Sequence, residues 1–336
     1  MGSRESLHWP EFTKALCGQM TDRERLGLPE YFVNDRFAAD LGEATAEIRG
    51  LDRDQLVVLV SSPSAPLTTR YAAGNMLALI GDPRISTLQP TMIDIPGGAV
   101  RIGLDVFRIP EVLSRFDKLG LEEAWIKKEC PRHEVRLAAY RIAKYPVTNQ
   151  EYREFLLATR YPELPDSWTF RRFPAERANH PVYTLSAAAC DAYAAWISTM
   201  TRRKFRLPSE AEWEFAAAGP EGYEFPWGEV FHPSRANTCE SGIFSTTPVG
   251  IFVEGASAFG ILDLAGNVEE YVSDLYRPYP DGDNINDHLR QIHGEYRVAR
   301  GGSFARFRDL ARNSRRHGHN PRSSTYAMGF RLAESL

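Results

Sequence analysis

Cysteine is scarce in this 336-residue chain: Cys17, Cys130, Cys190 and Cys239 stand far apart, with no CxxC pair among them. That spacing excludes a disulfide scaffold and a structural zinc site, and makes buried free thiols the expectation. Long apolar runs are missing too. Nowhere do about 18 uncharged apolar residues occur together, and the opening MGSRESLHWPEF has no apolar stretch of signal-peptide length. The chain therefore reads as cytoplasmic, without a membrane span. MGSRES fits the loose myristoylation pattern, which is too short to outweigh the unmodified reading. An excess of one charge is the third absence: a net charge of -4 gives no general pull toward nucleic acid or anionic lipid. What remains is an ordinary globular composition, 43% hydrophobic and 25% charged, on a chain long enough for more than one domain.

Two textures divide the sequence. Residues 1–89 look helical: LGEATAEIRGL and TTRYAAGNMLALIGDP carry apolar residues at three and four spacing, and Asp82-Pro83 closes the second run. The phrase RYAAGNMLALIGDPR resembles one HEAT-type repeat, without a second copy to stack on. Residues 1–89 are assigned to a helical accessory domain, the part suited to a protein partner. From residue 90 the chain turns to short β-like runs, aromatics and turn signals. MIDIPGGAVRIGL reads as two strands around a Pro-Gly-Gly turn, and EVRLAAYRIAKYPV as another pair. Thr148 with Glu151 and Ser209 with Glu212 form capping boxes that start two helices, and SAAACDAYAAWISTM is a third.

IPGGAVRIG, YPVTNQEYREF, HPVY, RLPSEAEWEFAAAG, FPWGE, TPVG, GILDLAGNVEEY, RVARGGSF and GFRLA occur in this order over roughly the last three quarters of the chain. Together they resemble the formylglycine-generating enzyme (sulfatase-modifying factor) family. The resemblance implies an α+β, C-type-lectin-like fold with little regular secondary structure over residues 90–336. It also implies kinship with sulfatase-modifying oxidases, sulfoxide synthases, siderophore-tailoring homologues and purely ligand-binding members.

In the oxidase branch, two cysteines after RGGS bind copper(I) as thiolates; the matching positions here are Arg306 and Ala311, which argues against sulfatase activation. The sulfoxide-synthase branch holds iron through an HxxxHxE helix in an N-terminal domain, and within the first 90 residues this chain has only His8. His317 and His319 alternate along the chain and would face one side, leaving iron or copper open if a third ligand joins them. The bland alternative is that they are polar loop residues. Glu269 replaces the family's groove tryptophan, and its readings are a salt bridge with Arg306 or Arg308, a polar substrate clamp, or a carboxylate metal ligand that would be the third beside the two histidines. Ser303 is retained, so Glu269, Ser303 and Arg306 are the candidate catalytic residues. Asp263, Gly266 and Glu270 match positions that contribute to a structural calcium site, oxygen ligands for a hard cation; the family's second calcium site is absent after Asn237.

Between Arg297 and Arg331 lie nine arginines and one acid, Asp309. Arginines without a scaffold carboxylate suit an anionic ligand, because a guanidinium binds carboxylate or phosphate as a two-pronged fork. Arg308, Arg315, His317 and His319 are the candidate ligand-binding residues. The ligand expected is a small molecule or peptide, anionic or zwitterionic; nucleic acid is the lesser candidate, since few aromatics interleave with the arginines. Two functions follow: oxidative tailoring of such a ligand by an enzyme, or a lectin-like binding module joined to a helical partner domain.

Overall fold

The computed structural model describes residues 22–26, 28, 36–319 and 326–336; His8, Cys17 and Arg322 lie outside them. Four helices come first: α1 (Asp22–Arg25), α2 (Arg36–Ile48), α3 (Arg53–Val60) and α4 (Leu67–Ile80). Asp52 and Gln55 close a capping box at the start of α3, and Gly81 with φ 93° ends α4 just before Asp82-Pro83. The apolar faces of α2, α3 and α4 meet in one core that also takes in Ile251 and Phe252 from a distant loop. Arg70 donates to the Ile251 carbonyl at 2.5 Å and Tyr71 to that of Thr246 at 3.2 Å. The helical segment is thus joined to the residues around 246–252 by its side chains, which pack on that loop and donate to its backbone carbonyls.

Residues from 90 onward are α+β, as expected. Strands β1 (Met92–Ile95), β2 (Gly98–Ile102), β3 (His133–Leu137) and β4 (Tyr140–Ala143) fall where the sequence places them. Their pairing is crosswise: β1 pairs with β4, and β2 with β3, in separate sheets. The cause lies at Gly97, where the backbone of residues 137–139 approaches so closely that a Cβ would sit 2.6 Å from Ala139 N. Between β2 and β3 lie α5 (Ile109–Arg115) and α6 (Glu123–Lys127).

Helix α7 (Asn149–Thr159) starts at the Thr148/Glu151 capping box, α8 (Ala187–Thr201) at a Ser186 cap, and α9 (Glu210–Ala218) at the Ser209/Glu212 box. Strand β5 (Lys204–Arg206) joins β1, β4 and the terminal β9 (Ala333–Ser335) in the order β1-β4-β9-β5. The third sheet carries the site. Its central strand β6 (Glu269–Leu275) runs antiparallel to β7 (Arg297–Arg300) and parallel to β8 (Met328–Phe330). The short α10 (His288–His293) precedes β7. Among the described residues no helix is long and apolar enough to cross a membrane.

Candidate functional site

Successive side chains on a strand point to opposite faces, so the adjacent carboxylates of GNVEEY part company on β6. Glu270 turns toward Trp213 and Arg331. Trp213 Nε1 donates to Glu270 Oε2 at 2.7 Å, while Arg331 donates through Nε to Oε2 and through Nη2 to Oε1, both at 2.6 Å. The same Arg331 reaches the carbonyls of Ala143, Leu262 and Asp263. Of the residues matched to a structural calcium site, the Asp263 carbonyl and the Glu270 carboxylate both meet the guanidinium of Arg331, just past β8. The Asp263 carboxylate instead accepts from Gly250 N at 2.6 Å, and burial raises its pKa to about 6. Gly266 is bridged to Asn237, packed so closely that a Cβ there would meet the Asn237 carbonyl.

Glu269 faces the other way, fully buried. Its Oε2 lies 2.5 Å from His317 Nδ1 and its Oε1 3.3 Å from Arg306 Nε. Burial works against the carboxylate's charge, yet His317 and Arg306 outweigh it and hold the pKa below the usual range. His317 is fixed by a backbone bridge to Ala299 on β7. Burial lowers its pKa to about 4 against the pull of Glu269, with Arg306 and Arg315 adding to the lowering. An ionised carboxylate can only accept, so the shared proton belongs to Nδ1 and the neutral ring keeps an acceptor at Nε2. That nitrogen is 3.4 Å from the Tyr326 hydroxyl, the His317 and Tyr326 rings are stacked at 5.3 Å, and the Arg306 guanidinium lies 4.1 Å from the centre of the Tyr326 ring.

The RGGS turn brings Arg306 there. Gly301 and Gly302 take φ of 91° and 66° in succession, and a Cβ on Gly301 would meet the Leu264 carbonyl at 2.8 Å. Only glycine allows the chain to leave β7 so sharply. Ser303 follows, fully buried, its Oγ without a hydrogen-bond partner among the described residues. Cys239 is buried beside it, with its backbone N donating to the Arg306 carbonyl at 2.9 Å, and burial raises its thiol pKa. Cys130 and Cys190 are also buried free thiols.

The expectation that surplus arginines line an open groove is overturned. Every described arginine from Arg297 to Arg331 has a carboxylate partner: Asp191 for Arg297, Glu214 for Arg300, Glu269 for Arg306, Glu240 for Arg308, Glu129 for Arg312, Glu210 for Arg316 and Glu270 for Arg331. Arg315, predicted to bind ligand, is buried, donates to the Trp125 carbonyl and leans on the Trp125 ring. The partner acids come from α8, α9, β6 and the segments after α6 and around Glu240, which local sequence does not pair. For Glu269 and Arg306 the salt bridge is the arrangement found. Arg308, also predicted to bind ligand, is the most exposed of those that were, but it is tied to Glu240 by backbone and side chain.

His317 and His319 do share one side, flanking Tyr326 with ring centres 5.3 and 5.7 Å away. Burial lowers the His319 pKa as well. No group of three His, Cys, Asp or Glu is placed to hold a metal ion among the described residues. Tyr326 was missed by sequence reasoning; three residues before GFRLA it carries no local signal, and only the parallel pairing of β8 with β6 sets it over Glu269. Equally hidden was a cavity of about 350 Å³ lined by Trp168, Phe170, Arg172, Phe173, Arg177 and Tyr183. It adjoins the cluster through Tyr183, whose ring stands edge-on to Phe304 at 5.6 Å, next to Ser303.

Similarity to known proteins agrees with this architecture. The chain is 29% identical to an inactive C-alpha-formylglycine-generating enzyme 2 of Mus musculus over 77% of its length and 92% of that protein. It is 31% identical to the hercynine oxygenase of Mycolicibacterium smegmatis, covering 72% of this chain and 61% of that one. With the serine/threonine-protein kinase Pkn1 of Chlamydia trachomatis it shares 34% identity over 62% of its length, but only 35% of the kinase is spanned. Among solved structures, PvdO from Pseudomonas aeruginosa superposes with a TM-score of 0.56 at 26% identity, over 75% of this chain and 96% of that one. Residues 81–336 match the family described as Sulfatase-modifying factor enzyme 1-like domain, and on that match the chain belongs to the formylglycine-generating enzyme family.

Proposed function

We propose that this family member is a tailoring enzyme for a small anionic or zwitterionic molecule or peptide, and that it does not generate formylglycine. The observation that carries the reading is the row Glu269, His317, Tyr326. Glu269 fixes the His317 tautomer, and neutral His317 presents Nε2 to the phenol as a proton acceptor. Arg306 lies over the phenol ring and would stabilise negative charge that develops on its oxygen. Tyr326 is then the group that gives a proton to, or takes one from, a bound ligand, with His317 as relay and Glu269 as its positioning residue. The buried Ser303 hydroxyl remains to hydrogen-bond a ligand atom.

Kinship with a hercynine oxygenase supports an oxidative reaction. Iron or copper at His317 and His319 fits these residues only in part. His317 Nδ1 is already spent on Glu269, and no third imidazole, thiol or carboxylate joins the pair among the described residues. A second reading, a ligand-binding module whose helical segment meets a protein partner, is favoured by Arg306, an ion-paired guanidinium where the oxidase branch has a copper thiolate.

The test is incubation of the protein in air with amino acids, betaines and cysteine-containing peptides, with and without added iron(II) or copper(I), followed by mass spectrometry. A modified product that disappears with Tyr326→Phe while folding is retained supports the enzyme. No product from any pool, together with saturable binding of a member of it, supports the module.

A further inference from the structure

The arginines that sequence reasoning assigned to a ligand are internally neutralised, but another set is not. The segment from Trp168 to Arg177 reads WTFRRFPAER. Its Arg172 and Arg177 are exposed, line the 350 Å³ cavity, and make no ion pair with any described residue. One acid, Glu176, shares the lining, so the cavity carries a net charge of +1 (two arginines minus one glutamate). The rest of the lining mixes rings, Trp168, Phe170, Phe173 and Tyr183, with small polar groups such as Ser167 and Thr169.

These walls are braced. Trp168 Nε1 donates to Asn149 Oδ1 at 2.7 Å, and Asn149 Nδ2 donates to the Arg177 carbonyl at 2.9 Å, so one side chain ties the cavity's floor to its cationic edge. The Phe173 ring stands edge-on to Trp168 at 5.5 Å, and Arg153 covers it from outside at 4.9 Å. The rim is strained: Phe170 and Arg171 take φ of 55° and 58° in succession, a left-handed pair that neither side chain favours. That backbone sets Phe170 out at the mouth with its ring 90% exposed, an unusual position for an aromatic without a ligand to cover.

We infer that this cavity binds a small organic oxyanion with a planar apolar body, its carboxylate or phosphate group held by Arg172 and Arg177 and its body among Phe170, Phe173 and Tyr183. Guanidinium forks match the oxyanion, ring faces match the body, and the volume suits a small ligand. Because Tyr183 meets Phe304 beside Ser303, the far end of such a ligand would reach toward the polar cluster. The inference deepens the proposed function by naming its ligand class, but the binding step rests on the cavity alone.

Benzoate and phenylphosphate are titrated into the full-length protein by calorimetry, with tryptophan fluorescence as a second readout and uncharged benzamide as control. Saturable binding of either oxyanion is expected, with benzamide much weaker. Arg172→Ala and Arg177→Ala should each weaken binding roughly tenfold, in the range of a lost charge-assisted hydrogen bond, whereas Arg136→Ala on the distant β3 should not. Tyr326→Phe should leave binding intact, so failed chemistry and a failed ligand site are told apart. If neither oxyanion saturates, if benzamide binds equally well, or if both arginine variants match the parent, the cavity is not an oxyanion site.

Discussion

Glu269 Oε2 and His317 Nδ1 lie 2.5 Å apart, one on the central strand of the third sheet and the other on the segment bridged to its neighbour, both nearly sealed from water. Burial of this pair, against the opposing pull of Glu269, keeps His317 neutral at pH 7 and shapes the acid response of the fold. Its pKa is lowered to about 4 from the ordinary 6.5, so between those values the unfolded chain binds more protons than the folded one. Stability contributed by His317 is present above pH 6.5 and lost as pH falls toward 4. His180, buried between Thr246 and Asn75 with its pKa lowered to about 3, adds in the same direction. Urea unfolding at pH 7 and pH 4.5 should therefore show a marked loss on acidification that His317→Gln reduces. An equal loss in parent and variant would place the acid sensitivity elsewhere.

Arg331 is the ion-pair partner of the buried Glu270, and its removal leaves that carboxylate uncompensated. Arg331→Met should cost roughly 3 to 5 kcal/mol, the range for breaking a buried ion pair from one side. Chelator should leave the parent's melting temperature unchanged. A fall in melting temperature with chelator, reversed by calcium, would restore the calcium reading.

Glu151 gives the opposite pH sign. Burial raises its pKa to about 7, although Thr148 donates to it through both N and Oγ1. The folded state therefore holds more protons than the unfolded one between about pH 4.5 and 7, and this residue's contribution falls as pH rises through that window. Glu151→Gln should leave stability near pH 5 little changed and raise it near pH 8, provided the amide oxygen keeps the cap. Thr148→Ala should cost about 1 kcal/mol at either pH, as a lost N-cap does.

Cys239 is buried and its thiol is held in the protonated form, so it should resist a maleimide in the native state and react on unfolding. Peptide mapping after brief labelling with and without denaturant reads this directly. Rapid native labelling would mean that the segment around Arg306 opens to solvent.

The order of short phrases from IPGGAVRIG to GFRLA was enough to establish the family and the α+β architecture. The capping boxes at Thr148 and Ser209 fixed where helices begin, because both partners of a cap lie three residues apart. The alternation of His317 and His319 likewise predicted that they share a side. The tertiary structure decided the rest, for one physical reason: charge compensation acts across space. Of nine arginines against one acid, Arg300 and Arg331 match scaffold positions with internal carboxylate partners, and the others suit a ligand while only neighbours in sequence are counted. The neutralising carboxylates at positions 129, 210, 214, 269 and 270 arrive from other elements as the three sheets pack. Glu269 and Glu270, identical neighbours in the chain, pair with His317 and Arg306 in one case and with Arg331 and Trp213 in the other, because a strand turns them to opposite faces. Arg172 and Arg177, without an ion-pair partner among the described residues, lie in a loop that carries no sequence motif, and only the fold brings them to one cavity with Trp168 and Tyr183.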